Sequence, residues 1–94
     1  MKVGSIEQQP GERMSYSINY SEALNAGDRV VSASAICEPE GLVVENVEPF
    51  DEGTRVRFWV RGGTNRIPYK ITLSVVTADG ELLQDEVTAK IVEV

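Results

Sequence analysis

Histidine is absent from this 94-residue chain, and cysteine and tryptophan occur once each. Without histidine the chain lacks the commonest general base at neutral pH and the commonest metal ligand. With Cys37 alone, no disulfide within the chain can pin two sheets together, and no cysteine-based zinc site of ordinary spacing is available. Cys37 reads either as a small core or near-core residue or as a reactive thiol, and no histidine supports the second reading. Long apolar runs are missing too, since none approaches the ~20 residues that cross a bilayer. Basic residues number 9 against 15 acidic ones, a net charge of −6. That balance argues against nucleic acid or an anionic membrane as partner, because both reward positive charge. The opening MKVGSIEQQPGE has one lysine and no apolar stretch. It is not expected to act as a secretory signal, so the chain is expected in a cytoplasm. Residues 1–8 read as a flexible or docking tail, followed by a single domain over 9–94.

What the chain does have is two-residue alternation. Met14, Tyr16, Ile18 and Tyr20 alternate with Arg13, Ser15, Ser17 and Asn19, the period of a half-buried strand. SEALNAGD at 21–28 predicts one helical turn at most, with Leu24 tucked beneath it. A valine-rich strand over Arg29–Cys37 ends at EPEG, and a short one runs from Leu42 to Val47 before a turn at EPFDEG, 48–53. In Thr54–Arg61, Val56, Phe58 and Val60 share one face; Arg55, Arg57, Trp59 and Arg61 share the other. Tyr69–Thr77 is the most regular strand, and ADG at 78–80 makes a tight hairpin with Gly80 at positive φ. In Glu81–Val94 the phase slips: Leu83, Val87 and Ile91 disagree with Leu82, Val92 and Val94, which predicts a bulge or a switch of sheets. Six to seven strands on short turns, with no crossover helix, predict an all-β antiparallel sandwich or barrel. The ragged GGTNRIP before Tyr69 narrows this. In immunoglobulin-like and fibronectin type III sandwiches, a tyrosine opening the penultimate strand bonds back to the backbone upstream, where the chain crosses between sheets. Tyr69 sits at that place. The alternative is an ordinary half-exposed tyrosine.

Chemistry is sparse. Glu48, Asp51 and Glu52 stand close in sequence but lack the spacing of a calcium loop, so a solvated turn is the plainer reading. Ser15, Ser17, Ser32 and Ser34 alternate on strands as an outward face. Gly62-Gly63 opens no phosphate loop, because neither Gly-Lys-Thr nor a helix follows. No catalytic residue, metal site or cofactor is assigned, and the chain is not expected to be an enzyme. The one surface feature is basic: Arg55, Arg57, Arg61 and, a little further on, Arg66. The first three flank Trp59, and arginine and tryptophan are the side chains most enriched at binding hot spots. Three readings stand: a partner-binding face, a ladder of pairs with acidic neighbours, or, if this face turns inward, a core tryptophan.

At this point the chain resembles a known family. QPGERMSYSINYSEALNAGDRVVSASA supplies Pro10, Glu12, Tyr16, Ile18, Tyr20, Ser21, Leu24, Gly27, Asp28, Val30, Ser32 and Ala33. GTRVRFWVRGGTNRIPYKITLSVVTADG adds Gly62, Gly63, Thr64, Tyr69, Thr77 and Gly80. Together, across residues 9–93, they resemble the small immunoglobulin-like fibre-tail adaptor proteins of tailed bacteriophages and prophages. Asn19 departs from the usual aspartate. Ala35 stands where tryptophan is common, leaving room that Trp59 or Ile36 could fill. The resemblance implies a non-enzymatic virion protein linking tail or baseplate to fibres. Its partners would be other tail or fibre proteins and, in the assembled virion, further copies of itself. It would reside in the bacterial host cytoplasm before assembly and in the virion tail afterwards. The rival expectation is a fibronectin-like recognition module that binds a carbohydrate or a cell-surface protein.

Overall fold

Alternating apolar side chains leave an isolated strand with one face that must be covered, and two sheets that cover each other meet that need. The computed structural model describes residues 2–93. Its strands are β1 (Lys2–Gln8), β2 (Arg13–Asn19), β3 (Val30–Glu38), β4 (Leu42–Phe50), β5 (Arg55–Gly62), β6 (Pro68–Thr77) and β7 (Leu82–Ile91). They form a four-stranded sheet in the order β1-β7-β6-β3 and a three-stranded sheet in the order β2-β5-β4. All pairs are antiparallel except β1 with β7. The all-β sandwich expected from the alternation is therefore the fold. Among the described residues, no helix is long and apolar enough to cross a membrane.

The inward side chains divide into two neighbouring clusters. Phe58, Val60, Tyr69, Ile71, Leu73 and Ile91 lead the larger one; Tyr20, Val30, Val56 and Val75 form the smaller. Leu24 packs under the smaller cluster from the 20–29 loop, which makes turns but no helix. Tyr16 and Phe58 approach ring to ring at 5.8 Å between centroids. Ala35 faces the larger cluster, but neither expected substitute fills its place. Ile36 is 64% exposed, and Trp59 alternates with the buried Phe58 and Val60, so both point outward.

Three expectations need correction. Residues 2–8 are no loose tail: they form β1 and pair with β7 from Lys2↔Glu86 to Gln8↔Ile91. The segment has no regular apolar alternation, because an edge strand is held by backbone bonds as much as by side-chain burial. The third predicted strand does not stop at Val47. It runs to Phe50 across a register shift between Glu45 and Glu48, with Asn46 at φ 52°. Asparagine tolerates this left-handed conformation better than most residues, and a bulge uses it. The turn expected over 48–53 therefore shortens to 51–54. Finally, the phase slip in β7 is not a bulge. The register with β6 is unbroken from Pro68↔Lys90 to Val76↔Leu82. Leu83, Val87, Ala89 and Ile91 turn inward, Leu82 and Val92 are exposed, and the missing inward member is a buried aspartate, Asp85. Asp85 adjoins the buried Tyr20 phenol. Burial first, and Asp85 second, lift that phenol's pKa far above its usual value.

The 51–54 turn stores backbone strain. Asp51, Glu52 and Gly53 all have positive φ, at 55°, 57° and 81°. A side-chain-bearing residue there costs about 1–2 kcal/mol, while glycine avoids the clash and loses about 0.5–1 kcal/mol in chain entropy. Glu52 is exposed. Glu52→Gly should therefore stabilise the fold by up to about 1 kcal/mol, a rise of roughly 4–8 °C in melting temperature for a domain this size. Calorimetry showing a fall would contradict this account of the turn.

Candidate functional site

β5 is the centre strand of its sheet, so its outward residues have neighbours on both sides. Register fixes which. Arg61 lies between Arg13 and Val43, Trp59 between Ser15 and Glu45, Arg57 between Ser17 and Glu48, and Arg55 between Asn19 and Phe50. The four residues singled out from the sequence thus form one column, flanked by serines on β2 and by acids and an aromatic ring on β4. The core-tryptophan reading is ruled out: Trp59 is half-buried on the outer face, while Val56, Phe58 and Val60 are buried beneath it.

The arginines divide by partner. Arg61 Nε donates to Glu45 Oε1 in a short charged hydrogen bond, and Arg55 lies 3.7 Å from Asp51. Both pairs are substantially exposed, so each contributes at most about 1 kcal/mol. Arg57 instead lies over the Phe50 ring at 4.5 Å, and Arg13 lies over the Trp59 ring at 4.2 Å. A guanidinium on an aromatic face keeps its charge while its hydrogen-bond donors stay free for a second partner. Among the described residues, the face therefore presents two stacked guanidinium groups without an ion pair beside two neutralised ones. Sequence reasoning missed Arg13 and Phe50. The first lies on a different strand, and the second falls in the turn expected over 48–53, so only the β2–β5 and β4–β5 registers bring them in.

Tyr69 stands elsewhere. It is 2% exposed, and its phenol oxygen accepts the Thr64 N–H at 2.9 Å. Gly41 leaves the phenol its space: a β-carbon there would sit 3.1 Å from the hydroxyl oxygen. Gly63 N–H donates to the Gly41 carbonyl at 3.0 Å, so the 38–41 and 62–68 loops close around this one ring. Arg66 belongs to that corner and not to the β5 face.

The acids of EPFDEG disperse, Glu48 beside Arg57 and Asp51 beside Arg55. The carboxylates that do gather are Asp28, Asp79 and Glu81, with oxygens within 4.8 Å of one another. Asp28 Oδ1 accepts the backbone N–H groups of Arg29 and Asp79, at 2.9 and 3.0 Å, so it ties the 20–29 loop to the β6–β7 hairpin. Cys37 is half-buried against the larger core cluster; burial, then Glu38, pushes its thiol pKa up, opposite to what a nucleophile needs.

No curated protein matches the sequence. The family described as podophage GP4 fiber-tail adaptor protein gp77 matches residues 8–90, from the last residue of β1 to the penultimate residue of β7. The match covers β2 to β6 and nearly all of β7, with the β5 column and the Tyr69 corner, and the chain belongs to this family of phage fibre-tail adaptor proteins.

Proposed function

We propose that the chain is a rigid, non-catalytic link between a phage tail and its fibres, docking through the outer face of β2-β5-β4. The family match over residues 8–90 carries this reading. The strand order is compatible with it: β2, β5 and β4 face a sheet in which β3, β6 and β7 run together, as in a constant-type immunoglobulin sandwich, although β1 pairs with β7 rather than joining the sheet of β2. On this reading Arg57 and Trp59 are the central contacts, while Arg55 and Arg61, already paired with acids, form the rim. A partner that supplies carboxylates or backbone carbonyls would engage the two stacked guanidinium groups. Trp59 carries Arg13 on its ring, which favours a protein partner over a sugar stacked on bare indole. The free chain would fold in the host cytoplasm and reach the virion tail by assembly.

Capture of the tail and fibre proteins of the same phage tests the reading. Wild-type protein should retain at least one of them. Trp59→Ala should weaken that capture by roughly 30-fold or more, the effect of losing a hot-spot residue worth about 2 kcal/mol. Arg57→Glu should do the same with its melting temperature nearly unchanged. Capture by both variants at wild-type strength would remove this face from the interface, and silence of the wild type with every tail and fibre protein would remove the linking role.

A further inference from the structure

The β6–β7 hairpin has two unlike ends. At its open end, Arg66, Ile67, Pro68, Lys90, Ile91 and Val92 line a groove of about 240 Å³. Ile67 and Val92 are 39% and 38% exposed there, so the groove is apolar and open to solvent. Arg66 and Lys90 stand at this groove, and among the described residues neither makes an ion pair. At the hairpin tip, about 30 Å away at strand rise, the pattern inverts. Asp79 and Glu81 are exposed and crowd Asp28; Glu81 accepts from the Asn25 amide, and among the described residues no cation pairs with any of the three. Beside them, Leu82 is 63% exposed, opposite the 36%-exposed Val76. One end is therefore an apolar groove with two unpaired cations. The other is a leucine knob with clustered anions that no cation neutralises among the described residues.

We propose that copies of this chain associate head to tail, the Asp79–Leu82 tip of one seating in the Arg66–Val92 groove of the next. Leu82 enters between Ile67 and Val92, and Asp79 and Glu81 meet Arg66 and Lys90. Both ends pair an apolar contact with charges of opposite sign, which sets the orientation of the encounter as well as its strength. The contact is heterologous: it uses different surfaces on the two copies, so it closes into a ring or continues as a row, depending on the rotation per step. It leaves the outer face of β5 free along the side of the assembly. The inference goes beyond the linking role and does not depend on which tail or fibre protein β5 engages.

Sedimentation velocity over a concentration series reaching the millimolar range, at low and high salt, tests it. The wild type should self-associate, and the association should weaken at least about tenfold as salt screens exposed charges. The double variants Arg66→Glu/Lys90→Glu and Asp79→Lys/Glu81→Lys should each be monomeric alone. Each retains one intact end bearing its original charge, but faces a reversed end on its own copies. Mixed with wild type, each should cap growth at its defective end. A third variant, Leu82→Ser, should weaken association while leaving its salt dependence in place. A wild type that is monomeric throughout the series overturns the proposal, as does either double variant associating as strongly as wild type. None of these substitutions touches Arg13, Arg57 or Trp59, so capture of tail and fibre proteins can fail or persist independently.

Discussion

Gly53→Ala should cost about 2–5 kcal/mol, a large part of the stability of a domain this small. Two effects add. Alanine at φ 81° pays the left-handed penalty of about 1–2 kcal/mol. Its β-carbon would also sit 2.7 Å from Arg29 Cβ and 2.9 Å from the Val30 carbonyl oxygen. Neither neighbour is the free end of a flexible chain, so the backbone itself must move, at a further cost of about 1–3 kcal/mol. The movement would spread, because Gly53 accepts the Val30 N–H at 2.8 Å and Thr54 accepts the Tyr20 N–H at 2.8 Å. Val30 and Tyr20 are both members of the smaller core cluster. Gly80→Ala is the matched control: φ there is 93°, yet nothing lies within 4 Å of a β-carbon. It should cost only the conformational part, about 1–2 kcal/mol. Equal losses in urea titrations of the two variants would show that close packing at Gly53 contributes nothing.

The contrast between these glycines marks what a sequence can disclose. Gly80 was expected at positive φ because Asp-Gly between two alternating runs is a local signal. Gly53 is tight because of Arg29 and Val30, more than twenty positions away, and no local pattern carries that. The same division runs through the molecule. Val56, Phe58 and Val60 declare an inward face by period alone, and the period places Arg55, Arg57, Trp59 and Arg61 together on the other. That Arg13 stacks on Trp59 depends on register, which is set by the whole sheet. β1 was hidden because its pairing with β7 joins the two ends of the chain. Asp85 concealed the phase of β7 because a buried carboxylate looks like a solvent-facing residue when only apolar positions are counted. The ragged loop before Tyr69 signalled a corner, but the approach of Gly41 to the phenol came only with the fold.

The lock that holds β1 is expected to fail most sharply at Gln8. This side chain is 4% exposed and spends its amide on three groups. Nε2 donates to the Val60 carbonyl at 3.0 Å and to the Glu12 carbonyl at 3.2 Å; Oε1 accepts the Tyr16 hydroxyl at 2.7 Å. Val60 is on β5 and Tyr16 on β2, so one glutamine bolts the four-stranded sheet to the three-stranded one. Gln8→Leu keeps much of the volume but removes every bond. Leaving a buried polar group unpaired costs about 1–3 kcal/mol, and the total should reach about 2–4 kcal/mol because Tyr16 is only half-buried and can turn to water. Tyr16→Phe should cost about 1 kcal/mol, and less once Gln8 is gone, since the two losses share one bond. β1 then keeps only the ladder to β7 and the packing of the half-buried Ile6 on the larger cluster, so its amides should exchange through local opening while those of β6 still report the global transition. Hydrogen exchange resolves the two. If protection in β1 fell only in step with β6, the ladder and Ile6 would suffice to hold the strand, and Gln8 would be a buried amide with no part in joining the sheets.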